Sequence, residues 1–185
     1  MNSLSRTKAL LVAAVVAAAC AAAFGQEFDE EEEVVLKQKK LSGPRMGVTY
    51  ILPGKFAERI EEKGMDPVLS QFGWHFEFLV RPEGGGPAFV TELIPFLGGV
   101  EYNTVIPSLS LVLGIRMPMG FEFGMGPNVL ATFEKGSPVS TTLLIAVGQS
   151  LKFSGVQIPL NLAFSTNRDG QRLSFVFGYA IHRRS

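Results

Sequence analysis

Val68-Leu69-Ser70-Gln71-Phe72-Gly73-Trp74-His75-Phe76-Glu77-Phe78-Leu79-Val80-Arg81 is the stretch that decides the fold. Its even positions run Val68, Phe72, Trp74, Phe76, Phe78 and Val80, with Ser70 the one polar member, while the odd positions include Gln71, Gly73, His75, Glu77 and Arg81. A period of two puts the aromatic residues on one face of an extended strand and the polar residues on the other.

The same alternation recurs along the chain. Val105 to Met117 sets Leu109, Leu111, Leu113 and Ile115 against Ser108, Ser110, Gly114 and Arg116. Phe121, Phe123, Met125 and Val129 alternate with Glu122, Gly124, Gly126 and Asn128. Val156 to Phe164 and Leu173 to Ile181 repeat it, with Gln157 and Asn161 on the polar side of the former. Arg45 to Leu52, Ala88 to Leu97 and Thr141 to Gly148 are less regular strands, which makes eight. Glycine- and proline-bearing turns separate them, among them Pro82 to Pro87, Glu134 to Pro138 and Asn167 to Gly170. One segment breaks the period: in Gly54 to Gly64, Phe56 and Ile60 stand four apart among charges, which predicts a short amphipathic helix.

Two segments ahead of the barrel differ from the rest. Arg6 and Lys8 precede 16 apolar residues, Ala9 to Phe24, followed by small residues suited to signal-peptidase cleavage, so residues 1–25 are expected to be a secretory signal. An uncleaved anchor and a lipoprotein signal ending at Cys20 are the rival readings. Residues 26–43, with six acidic residues in Glu27 to Glu33 and then Lys37, Lys39 and Lys40, predict a charged, disordered linker. The barrel domain is then 44–185.

Composition removes several functions. Residues 44–185 carry 12 basic and 11 acidic side chains, so no basic surface points to nucleic acid. One cysteine and two histidines leave no cysteine-rich zinc module, and neither a metal nor a cofactor is expected. No Walker-type loop occurs, and Gly84-Gly85-Gly86 has no helix after it.

The polar faces consist mainly of Gly, Ser, Asn, Gln and Ala with a scattered charge, which suits a tight interior better than a wet exterior. The opposite faces are long apolar rows, and strands of ten or more residues match the length a tilted strand needs to cross hydrocarbon. Lipid satisfies no backbone N–H or C=O, so such strands must close on themselves. The expected fold is all-β: a closed antiparallel up-and-down β-barrel of about eight strands, with a short helix in the first long loop. Pro95, Pro107, Pro127 and Pro159 fall inside these strands and are expected at rims or bulges. A soluble periplasmic ligand-binding barrel or sandwich is the alternative, and it would invert every facing.

The signal followed by eight alternating strands resembles the small outer-membrane β-barrels of Gram-negative bacteria, the class of the OmpA and OmpX transmembrane domains. Ser70-Gln71-Phe72-Gly73-Trp74, Gly120 to Asn128, and Phe177-Gly178-Tyr179 also look like stretches of bacterial barrel proteins of this size. The resemblance implies an outer-membrane location, with outer-membrane lipid and the insertion machinery as partners; the chain departs from it at His182-Arg183-Arg184-Ser185, where such barrels often end on an aromatic residue, and Tyr179 and Ile181 are the nearest candidates. It carries over no functional residue.

An eight-stranded interior is just wide enough for side chains to fill, so an open porin is not expected. The inward set is Gln71, His75, Glu77, Glu92, Arg116, Glu122, Asn128, Gln157 and Asn161. Charges of both signs at low dielectric must pair, so His75, Glu77, Glu92, Arg116, Glu122 and Asn128 are expected to form a lumenal network. The same residues offer a site for a small polar ligand among Glu77, Arg116 and Glu122. The expected function is a structural or binding barrel without catalysis. Lipid-modifying chemistry is the other class considered, with His75, Glu77 and Ser108 or Ser110 as its one available grouping.

Overall fold

The computed structural model describes residues 35–131, 139–154 and 156–182. The signal segment, Cys20, the acidic run, the turn at Glu134 to Pro138 and the last three residues lie outside them. Nine strands follow in order: β1 (Leu36–Ile51), β2 (Val68–Pro82), β3 (Ala88–Gly98), β4 (Ile106–Arg116), β5 (Phe121–Ala131), β6 (Val139–Phe153), β7 (Val156–Thr166), β8 (Gln171–Gly178) and the two-residue β9 (Ile181–His182). Helix α1 (Lys55–Glu61) lies between β1 and β2, and a 3-10 turn (Val100–Tyr102) between β3 and β4.

Each strand from β1 to β8 pairs antiparallel with the next, and β8 pairs back with β1, closing an eight-stranded up-and-down barrel. β9 continues past β8 along Leu41 and Ser42 of β1. The first strand corrects the sequence reading. Residues 36–43, assigned there to the linker, form the first half of β1 and pair continuously with Phe76–Pro82 and His75 of β2. Charge had suggested a solvated tail, but Leu36 to Lys40 are exposed strand residues, and an exposed strand tolerates lysines.

The prolines are accommodated by a common device. In an antiparallel ladder a residue directs its N–H and C=O toward one neighbouring strand, so a proline harms one ladder and spares the other. Pro95 keeps its pairing with Leu109, and the β2–β3 ladder is interrupted beside it between Gly73–Phe96 and Phe76–Leu93. Pro127 keeps Leu143, and the β4–β5 ladder is interrupted between Ser110–Asn128 and Leu113–Met125. Pro44, Pro107 and Pro159 each pair on one side and mark the end of the ladder on the other. Pro95 and Pro127 are therefore within their strands rather than at a rim, and closure survives them.

α1 closes one end of the barrel. Phe56, Ala57 and Ile60 are buried together with Ile51, Met65, Leu69, Ile106 and Leu130, which makes an apolar layer across the barrel mouth. The Phe56 N–H donates to the Asp169 carbonyl (2.9 Å), and Arg59 approaches the Asp169 carboxylate at 3.9 Å. The 3-10 turn is fastened to β2 at the same end. The backbone N–H of Ser70 donates to Glu101 (2.6 Å), and its hydroxyl donates to the second carboxylate oxygen. Slight burial opposes ionisation of Glu101, but these two donors outweigh it and hold the carboxyl below its ordinary range.

At Gly126, beside the Pro127 interruption, a Cβ would run into the carbonyl of Leu111 and approach Val112 Cα, both of them β4 backbone. Gly126→Ala is expected to cost about 1–3 kcal/mol through this forced separation of β4 and β5. Equilibrium urea unfolding of the refolded chain measures it, and a loss near zero would contradict the close approach.

Candidate functional site: the charged lumen

Strand parity delivers the polar side chains inward. His75 and Glu77 are two apart on β2, Glu92 lies directly opposite Glu77 on β3, and Arg116 lies directly opposite Glu122 across the β4–β5 turn. Two carboxylates facing each other across a ladder repel unless a cation bridges them. Arg116 supplies it. Its Nη1 and Nη2 donate to the two Glu77 oxygens at 2.6 and 2.8 Å, and its Nε donates to Glu122 Oε2 at 2.6 Å. Glu92 stands 3.7 Å from Arg116 Nη2. The bidentate pair crosses the lumen from β4 to β2 over the intervening β3, so it fixes non-neighbouring strands rather than repeating a ladder contact.

The remaining oxygens and amides extend the network. Asn161 Nδ2 donates to Glu122 Oε1 (2.8 Å), and Gln157 Oε1 accepts from Arg116 Nη1 (3.3 Å) and the Ser150 hydroxyl (3.3 Å). On the far side, Arg45 Nη1 donates to Asn161 Oδ1 (3.2 Å) and the Pro159 carbonyl (3.4 Å), tying β1 to β7. His75 Nε2 faces Glu77 at 3.5 Å and Glu92 at 3.4 Å. Nearer the helix is a second layer: Asn128 Nδ2 donates to the Ser110 hydroxyl (2.9 Å), and Asn128 Oδ1 accepts from Thr142 (3.2 Å) and from Arg172 Nη2 (2.9 Å).

The structure thus brings His75, Glu77, Glu92, Arg116 and Glu122 into one cluster, and places Asn128 in the second layer. The ligand position expected among Glu77, Arg116 and Glu122 is filled, because those three groups bind one another. The hydrolytic grouping is not assembled either. Among the described residues neither His75 nitrogen has a hydrogen-bond partner, so Ser108 and Ser110 are not joined to it, and Ser110 is engaged by Asn128. His75, Glu77 and Glu92 do offer donor atoms within 4.8 Å of one another, the spacing a metal ion could share. Arg116 already holds both Glu77 oxygens there, and its guanidinium would face such a cation at close range.

Arg45, Thr142 and Arg172 were missed from the sequence. Arg45, Gly47 and Thr49 alternate with Met46, Val48 and Tyr50, which was the available signal for Arg45. Arg172 stands between the Asn167 to Gly170 turn and the alternating run that begins at Leu173, where no parity marks it.

No family model matches the chain, and neither a curated protein nor a solved structure matches it significantly.

Arg116→Ala is expected to destabilise the barrel by about 3–5 kcal/mol, since it strands buried carboxylates without their cation. Arg116→Ala combined with Glu77→Ala should cost less than the sum of the single changes. Denaturant unfolding of the four proteins of this cycle checks it, and simple additivity would deny the coupling.

Proposed function

We propose that this protein is a transmembrane β-barrel of a bacterial outer membrane with a side-chain-filled lumen, acting as a structural or binding element rather than an open pore. The observation that carries this reading is the inversion of polarity across the barrel wall. His75 is 0% exposed and Arg116 1%, whereas Phe89 is 71%, Leu113 57% and Phe175 50% exposed. Trp74, Phe76, Leu97, Leu111, Phe123, Leu143, Leu162 and Phe177 extend the outward apolar surface around the other strands. Soluble monomers rarely expose a contiguous apolar patch beyond a few hundred Å². Hydrocarbon covers such a surface at no cost, while closure satisfies the backbone groups it could not hydrate.

Loop lengths support an orientation. The described connections at the α1 end are residues 52–67, 99–105 and the short 167–170, whereas those at the other end are 83–87 and 117–120. Barrels of this kind carry longer loops outside and short turns in the periplasm, so the α1 end is assigned to the cell exterior. An even number of spanning strands returns the chain to the side it started from, which puts Leu36 and Ile181 at the periplasmic rim. Two features argue against conduction: the Arg116 cluster across the lumen and the apolar layer under α1.

The test is depth-sensitive quenching in a Trp74→Phe background. Tryptophan at position 111 should be quenched strongly by brominated lipid, and tryptophan at position 112 should not. Equal accessibility at both, or a water-soluble monomer without detergent, would favour the soluble periplasmic reading. In the same bilayers Leu111→Arg should cost about 2–4 kcal/mol if this position lies near mid-membrane. Planar-bilayer recording of the wild-type chain should give no steady conductance.

A further inference from the structure

Between the Arg116 cluster and the layer of Asn128 lies a cavity of about 60 Å³, whose lining includes Arg45, Arg172, Glu92, Gln71, Ser108 and Ser174. Two guanidiniums and a single carboxylate border it, and that carboxylate, Glu92, already faces His75 and Arg116. Arg172 has no carboxylate within ion-pair distance among the described residues. Its partners are the neutral Asn128 and Thr142, and its guanidinium lies 5.7 Å from the centre of the Phe56 ring. Among the described residues Arg45 finds partners through Nη1, and its buried Nε and Nη2 have none. Those two N–H groups form one edge of the guanidinium, the edge whose parallel donors match two oxygens of a carboxylate or phosphate.

A half-buried cation without a counter-ion, a second cation with its bidentate edge unused, and a void bordered by both are separate observations with one chemical solution. We propose that this cavity is an anion site that takes a small oxyanion, a carboxylate or phosphate-type group, between Arg45 and Arg172. The volume suits about four water-sized atoms, which admits formate, acetate or inorganic phosphate and excludes a sugar or a nucleotide. Gln71 and Ser108 add polar groups to the lining, and the rest of the wall is largely apolar, with Phe96, Val112, Leu144 and Val176. A second void of about 40 Å³, which Phe56 and Ile106 border, shares Arg172 and Ser108 with the first. It marks a route toward the α1 end, where displacement of Phe56 would admit the ion.

This site lies inside the barrel whether lipid or water surrounds the outer wall, so its test is separate from the membrane assignment. The full chain refolded in detergent is titrated with formate, acetate, inorganic phosphate or chloride at matched ionic strength, and binding is followed by calorimetry and by the thermal midpoint. At least one oxyanion should bind saturably and raise the midpoint, because a ligand that binds only the folded chain stabilises it. Chloride, which cannot span the two donors of Arg45, should bind more weakly. Arg172→Gln should weaken oxyanion binding by at least about tenfold, the consequence of losing one charge-assisted contact. Should that variant fail to fold, Ser108→Leu, which fills the cavity and leaves both guanidiniums, should abolish binding instead. The absence of saturable binding, chloride binding as tight as that of any oxyanion, or an undiminished affinity in these variants would overturn the proposal.

Discussion

The Arg116 guanidinium holds Glu77 across the lumen and Glu122 across the adjacent turn, and three carboxylates of the barrel interior are arranged around it. Glu77 and Glu92 face each other directly in the β2–β3 ladder, an arrangement that would push the strands apart without a shared cation. Pairing inside a low-dielectric interior is an all-or-nothing matter: complete, it selects one register, and incomplete, it leaves a buried charge. A shift of any strand by one residue would turn its polar set outward and break this cluster. The amide groups of Gln157 and Asn161 and the reach of Arg45 to β7 extend the same network with further hydrogen bonds.

Closure imposes the opposite demand on the backbone. A barrel has no edge strand on which a missing N–H is harmless, yet six prolines lie in the described strands, Pro82 at the end of β2 among them. The solution is local and one-sided. Each proline keeps its ladder on the side it can serve, and the ladder on the other side stops or skips there. Gly126 beside Pro127 lets β5 come close to β4 at such an interruption, where any side chain would meet backbone. The barrel therefore tolerates lost hydrogen bonds in its wall because the polar cross-links inside it hold non-neighbouring strands together.

These two layers also determine what the lumen can do. With Arg116 consuming Glu77 and Glu122, the central charges are committed to structure, and the unmatched chemistry moves toward the helix end, to Arg45 and Arg172. At that end the seven-residue α1 lays Phe56 and Ile60 into the apolar layer and contacts Asp169.

The alternation in Val68 to Arg81 determined by itself that the chain forms strands with one aromatic and one polar face, because a period of two has only one extended geometry. The inward facing of His75, Glu77, Arg116, Glu122 and Asn128 followed from the same parity, as did the helix at Phe56 and Ile60 from a spacing of four. Which inward groups touch was beyond the sequence, since Arg116 meets Glu77 across an intervening strand and that distance depends on the closed curvature of the whole sheet. Residues 36–43 were misread for a related reason: their charges describe solvent exposure, and exposed strand and exposed coil look alike until a partner strand is in place. The mid-strand prolines likewise looked unfavourable until the ladder on each side could be seen separately. Arg45 and Arg172 were visible as charges, but their shared border on one cavity exists only after β1, β7 and β8 close the barrel and bring together positions more than a hundred residues apart.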